Sequence, residues 1–254
     1  MTFQKVRTAS LMVVFLFGLC LNSGAQSTTL NFNALPSDPS QCLQGNRCWV
    51  YQAFNGDSSS AGEQQAFTSE GGHLLMDTVR MGLWQLGGGG NAYHLDNVTG
   101  NPVVEPSHSF SITAVLQVLD YEHYDYQTGQ GAKTFNGDQN VSTSGFCFGA
   151  YTGVAGEEVY FACMSDARLM LDDTGVPFDT TVKHEYRLEV LPGIGAKLFV
   201  VGDSGETLLT LTTGRTLRAS YDQNVSALWL GDFTGGANAK VEIRKFAYTS
   251  HASD

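Results

Sequence analysis

The densest run of groups able to do chemistry is Asp120-Tyr121-Glu122-His123-Tyr124-Asp125-Tyr126. Carboxylates hydrogen-bond sugar hydroxyls, and aromatic rings stack on the apolar faces of sugars, so the mixture suits a saccharide site. If the segment is extended, Asp120, Glu122, Tyr124 and Tyr126 share one face, with Tyr121, His123 and Asp125 on the other. Two acids so placed could also act as general acid and base on a glycosidic bond, Glu122 working with Asp120 or Asp125. The bland alternative is a solvated strand end. Trp84, ahead of Gly87–Gly90, offers a second platform. No Lys-Ser/Thr pair or helix start follows those glycines, so they do not describe a phosphate loop. Nor is there a G-x-S-x-G elbow for a nucleophilic serine, and the six histidines show no ligand spacing.

The elements that must position this cluster read as strands. Ser109–Asp120 alternates, with Phe110, Ile112, Ala114, Leu116 and Val118 along one side. His184–Val190 does the same, with His184, Tyr186, Leu188 and Val190 opposed to Glu185, Arg187 and Glu189. Strict period two marks a half-buried strand, because successive side chains point to opposite faces. In Lys240–Tyr248 the alternation slips from Val241 and Ile243 to Phe246 and Tyr248, which predicts a β-bulge near Arg244-Lys245. Residues 145–164 are apolar on both faces and turn at Gly153–Gly156, so they predict a hairpin in the middle of a sheet covered on both sides. Glycine is abundant at 29 residues, proline sparse at 6, and no segment keeps a helical period. The class this predicts is all-β, a sandwich or barrel.

Residues 1–25 predict a secretory signal peptide: Lys5 and Arg7, then the apolar Leu11–Leu21, then Ser23-Gly24-Ala25. The apolar run is too short to span a bilayer. Cleavage after Ala25 removes two bases and no acid, leaving 12 bases against 25 acids, a net charge of −13 in place of −11. Such an acidic chain is a poor partner for nucleic acid, whose binding depends on Lys and Arg. No linker divides residues 26–254, which read as one domain. Four cysteines remain, an even number that suits an oxidising compartment. Centring the hairpin turn at Ala155 sets Cys147 opposite Cys163, within reach of a bridge. Cys42 and Cys48 then close a small loop.

The segments Ala66–Thr78, Asn91–Val98, Phe110–Asp120, Gly145–Gly153 and His184–Tyr248, in that order, resemble the concanavalin A-like lectin/glucanase superfamily, in particular its laminin-G-like bacterial members. The resemblance implies a jelly-roll β-sandwich of two antiparallel sheets, a secreted setting that is extracellular or periplasmic, and a carbohydrate ligand. It also implies a structural calcium ion at Asp232, in Leu230-Gly231-Asp232-Phe233-Thr234-Gly235, where an ordinary Asx-turn is the alternative. The Glu-x-Asp-x-x-Glu of the superfamily's glucanases is missing. The expectation is therefore a non-catalytic glycan-binding or adhesion domain, with Trp84, Asp120, Glu122, Tyr124, Asp125 and Tyr126 against the ligand. A polysaccharide-cleaving enzyme and a structural envelope or matrix protein are the alternatives.

Overall fold

The alternating run that begins at Phe110 extends, in the computed structural model of the chain, to a strand of 16 residues. The structure describes residues 27–42, 48–53, 58–79, 91–95, 104, 108–125, 130–132, 144–152, 158–171, 174–212, 215–216, 227–232 and 237–251. The expected signal peptide lies outside them. Among the described residues no helix is long and apolar enough to cross a membrane.

The chain is an all-β jelly-roll sandwich of two antiparallel sheets. One, the long-strand sheet, runs in the order β14 (Gly205–Thr212), β13 (Gly195–Gly202), β12 (His184–Leu191), β6 (Phe110–Asp125), β17 (Ala237–Ser250), β4 (His73–Asp77) and β3 (Phe67–Glu70). The short strands β1 (Ser27–Thr29) and β7 (Gln130–Ala132) add to β17 and β6. The other, the disulfide sheet, runs β11 (Thr174–Pro177), β10 (Arg168–Leu171), β9 (Glu158–Met164), β8 (Phe146–Thr152), β16 (Ala227–Asp232), β5 (Asn91–Leu95) and β2 (Val50–Ala53), with β15 (Arg215–Thr216) on β9.

Between the sheets lies one core. The long-strand sheet contributes Phe110, Ile112, Ala114, Leu116, Tyr186, Leu188, Val190, Val241, Ile243, Phe246 and Tyr248. The disulfide sheet contributes Phe148, Tyr160, Met164, Leu228 and Leu230, and Trp49 meets Phe246 edge-on at 5.7 Å. These are the residues that period two places on one face. The bulge expected near Arg244 is present: Ile243 pairs with Leu116 and Lys245 with Val115, leaving Arg244 unmatched and exposed. The slip lets Phe246 and Tyr248 follow Val241 and Ile243 into the core.

The hairpin of β8 and β9 has the expected register, Cys147 opposite Cys163, Gly149 opposite Phe161 and Tyr151 opposite Val159. Both disulfides, Cys147–Cys163 and Cys42–Cys48, are formed. Each face of the hairpin is buried, as its two apolar sides require.

One helix, α1 (Ser60–Ala66), departs from the all-strand expectation. Ser59 caps it, its Oγ accepting from the N–H groups of Ala61 and Gly62. Seven residues are too few to display a helical period in sequence. The helix is tied to the core by Glu63, whose buried carboxylate accepts from the Tyr93 hydroxyl at 2.8 Å and from Ser37.

Gly149 is required by contact. A Cβ there would lie 2.0 Å from the Tyr160 carbonyl oxygen and 2.5 Å from Phe161 Cδ1. Gly149→Ala is therefore expected to cost about 3 kcal/mol, the upper range for overpacking. A lowered midpoint in denaturant unfolding checks it, and an unchanged midpoint contradicts this packing.

Candidate functional site

The Asp120–Tyr126 segment does not behave as one continuous strand face. Asp120 pairs with Lys240 and Val118 with Val241, so Leu119 bulges out of the ladder and stands 45% exposed. The slip reverses the alternation. Tyr121 and His123 turn inward, each 2% exposed, with their rings stacked 6.2 Å apart. Asp120 and Glu122 remain on the outer face, where two carboxylates keep their hydration at little cost. Without the bulge both acids would follow Val118 into the core. Asp120 and Glu122 thus share a face, as expected, but on the side opposite Phe110–Val118. The backbone of Tyr124 and Asp125 continues the strand, while their side chains, with Tyr126 and Trp84, lie outside the described residues.

The inward turn assembles a polar end to the core. Burial raises the pKa of the Tyr121 hydroxyl, and the negative charges of Asp166 and Asp232 push the same way. Asp232 is not in a turn; it is the last residue of β16 and fully buried. The Thr78 hydroxyl lies 3.0 Å from its Oδ2 and accepts from the Ala239 N–H at 3.0 Å. Among the described residues no group of three or more His, Cys, Asp or Glu side chains could hold a metal.

The two outer faces of the sandwich differ sharply in chemistry. That of the long-strand sheet is charged and internally paired: Arg187 with Glu189 and Glu206, Lys245 with Glu185 at 3.1 Å, Arg244 with Glu242, and Lys240 with Asp77 at 3.4 Å. That of the disulfide sheet is apolar. Ala92, Cys147, Val159, Phe161, Cys163, Met170, Ala227 and Trp229 form a second buried cluster, separate from the main core.

Alternation explains why it is separate. In β16, Leu228 and Leu230 enter the core while Ala227 and Trp229 face away, and β8, β9 and β10 split in the same way. Tyr151 stands half-buried on this face. Its ring meets Phe161 at 5.0 Å and 85°, and Trp229 at 5.7 Å and 73°, both edge-to-face. Gly149 lies between Trp229 and Phe161 in the ladder and leaves room for the rings to converge.

Trp229 is buried, as its strand-like surroundings suggest, but it belongs to this second cluster and Trp49 to the main core. The sequence held a signal for this surface in the two apolar faces of residues 145–164. It held none for which face would meet the other sheet.

No family model and no curated protein matches the chain. Among solved structures it is similar to a protein of unknown function from Shewanella oneidensis MR-1, at 10% identity and a TM-score of 0.48 over 91% of this chain and 90% of that one. It is also similar to lectin I-B4 from Griffonia simplicifolia in its metal-free form, at 9% identity and a TM-score of 0.47 over 89% and 100% of the two chains. The CBM2 module of the evolved Dit of Lactobacillus casei BL23 phage J-1 aligns at 7% identity and a TM-score of 0.39, over 91% and 98%.

The polar end of the core has a pH signature. Burial raises the Asp166 pKa, the Asp120 charge adds to the rise, and its own N–H, that of Ala167 and His123 oppose it. A carboxyl whose folded pKa is raised loses nothing below pH 3.8 and penalises the fold as pH climbs through the folded value. Asp166→Asn is expected to raise the melting temperature at pH 7 and leave it unchanged near pH 3. Melts at the two pH values check the sign.

Proposed function

We propose that this protein is a secreted, non-catalytic glycan-binding domain whose ligand lies on the outer face of the disulfide sheet. The observation that carries the reading is the half-buried Tyr151 braced by two buried rings. A sheet face turned away from the core is ordinarily polar. Of the three rings only that of Tyr151 is more than marginally exposed; held edge-to-face by the buried Phe161 and Trp229, it offers the C–H face of a pyranose a partner that is already ordered, so little side-chain freedom is lost on binding. The net charge of −11 is consistent with a partner other than nucleic acid, and two disulfides suit the oxidising setting of an exported chain.

A second reading rests on the outward Asp120 and Glu122. They lie along the ladder from Lys240 and Asn238, and the buried Asn238 amide makes no hydrogen bond. That edge, with Tyr124, Asp125, Tyr126 and Trp84, would be the sugar site or, with Glu122 and Asp120 as acid and base, a cleaving one. The long-strand face lacks described aromatic rings that could stack on a sugar apart from Phe199, which already lies under Arg187 at 4.6 Å.

A glycan array, followed by titration of the best ligand, separates the readings. Tyr151→Ala is expected to weaken binding at least about tenfold, or about 1.4 kcal/mol, with Tyr124→Ala and Glu122→Gln near wild type. Loss in Tyr124→Ala with Tyr151→Ala unchanged moves the ligand to the 120–126 edge. New reducing ends or unsaturated products on incubation with the ligand would establish cleavage. The same titration with chelator tests the structural calcium ion expected at Asp232.

A further inference from the structure

Four strands lie at the ends of the two sheets, and three of them are short. β3 has four residues and ends on Glu70, β11 has four and ends on Pro177, and β2 has four. Short length, charge and proline keep an open row of N–H and C=O groups from pairing with another chain. β14 lacks these devices. It runs for eight residues as the last strand of the long-strand sheet, and it contains neither proline nor a basic residue. Its one charged residue, Glu206, is held by Arg187. Among the described residues no strand pairs with its far side, and Gly205 to Leu208 stand exposed.

The side chains of this edge are apolar where they meet solvent. Leu198 pairs with Thr210 and Phe199 with Leu208, which leaves Leu209 unmatched in a bulge. Leu209 packs against the core and Thr210 is buried, so both turn inward. Leu208 and Leu211, three residues apart, therefore emerge on the same outer face, 46% and 55% exposed. At the end of their row the turn between β12 and β13 adds Leu191 at 39% and Ile194 at 70%. Seven large apolar side chains are exposed among the described residues, and these four put the majority at one corner. A patch of that kind on an unpaired edge marks an interface.

We propose that β14 pairs antiparallel with β14 of a second copy of the chain, joining two long-strand sheets into one. The open backbone groups call for a strand, which neither a lipid nor a glycan supplies. The strand also complements itself. Thr207–Thr212 reads TLLTLT and carries no charge. A two-fold axis normal to the sheet, near Leu209 and Thr210, keeps outer face with outer face and gathers Leu208 and Leu211 of both copies into one cluster. About that axis the two Glu206 carboxylates stand roughly 20 Å apart, at about 3.3 Å per residue, beyond a Debye length of about 8 Å. The acidic chain thus sets no like charges against each other at this edge. The same axis leaves both disulfide sheets on one side of the dimer. On the glycan-binding reading, two Tyr151 faces then point the same way and engage a repeating polymer together.

Sedimentation equilibrium from micromolar to millimolar protein reads the association directly, and it contains no glycan, so its result is separate from the glycan-binding reading. Wild type is expected to form dimers. Leu208→Lys and Leu211→Glu are each expected to raise the dissociation constant at least about tenfold. Val50→Lys, exposed on the far edge of the other sheet, should leave it unchanged. Hydrogen exchange on wild type alone is the second measurement and holds even if a variant melts early: amides of Gly205–Thr212 should exchange more slowly in concentrated than in dilute protein, and those of β3 should not. Monomer at every concentration, a dimer untouched by both leucine variants, or protection that grows at β2, β3 or β11 in place of β14 overturns the inference. Monomer that sediments with phosphatidylcholine vesicles, and ceases to in Leu211→Glu, also overturns it and assigns the leucines to a lipid surface.

Discussion

The antiparallel pairing of Phe110–Asp125 with Ala237–Ser250 is the constraint on which the long-strand sheet depends. Because side chains alternate with period two, one slip exchanges every group between core and solvent. This pair slips twice, and each slip has a reason in the residues. At Arg244 the unmatched residue is a cation that stays in water, and the aromatic pair beyond it continues the core. At Leu119 the cost is one exposed leucine, and the return is that Asp120 and Glu122 remain outside while Tyr121 and His123 close the end of the sandwich. A sheet without bulges would bury two carboxylates there, which the interior tolerates only with partners.

The disulfide sheet obeys a different rule. Its central strands are apolar on both faces, so one set of side chains meets the other sheet and a second set must find cover elsewhere. The cross-strand bridge, Met170 and the three rings fill that second layer. A face of this kind is well ordered before any ligand arrives, because each ring is held by its neighbours. The contrast with the other outer face is instructive: there, among the described residues, Arg187, Lys240, Arg244 and Lys245 are each paired with a carboxylate.

Much of this fold was legible in the residues. The strand faces of Phe110–Val118 and His184–Val190, the Arg244 bulge, the hairpin register and both disulfides follow from period two and the placing of turns. The Leu119 bulge was not legible, because a leucine between Val118 and Asp120 fits either register and only pairing with Lys240 and Val241 decides. Helix α1 escaped for want of length. The candidate surface was half visible: Tyr151, Val159 and Phe161 stood out as a second apolar face, but which face of the hairpin meets the other sheet is decided by long-range pairing that no spacing in the chain records.

The position of β17 has a further consequence, for the order in which the molecule can form. The latest strand in the chain lies between β6 and β4 and also receives β1. The long-strand sheet therefore has a gap at its middle until nearly the whole chain is available, and its closing contacts span the longest separations in the sequence. Topologies dominated by pairings so far apart in the chain fold slowly. Until β17 docks, the facing edges of β6 and β4 stay unpaired, which makes that gap the place where misassembly starts.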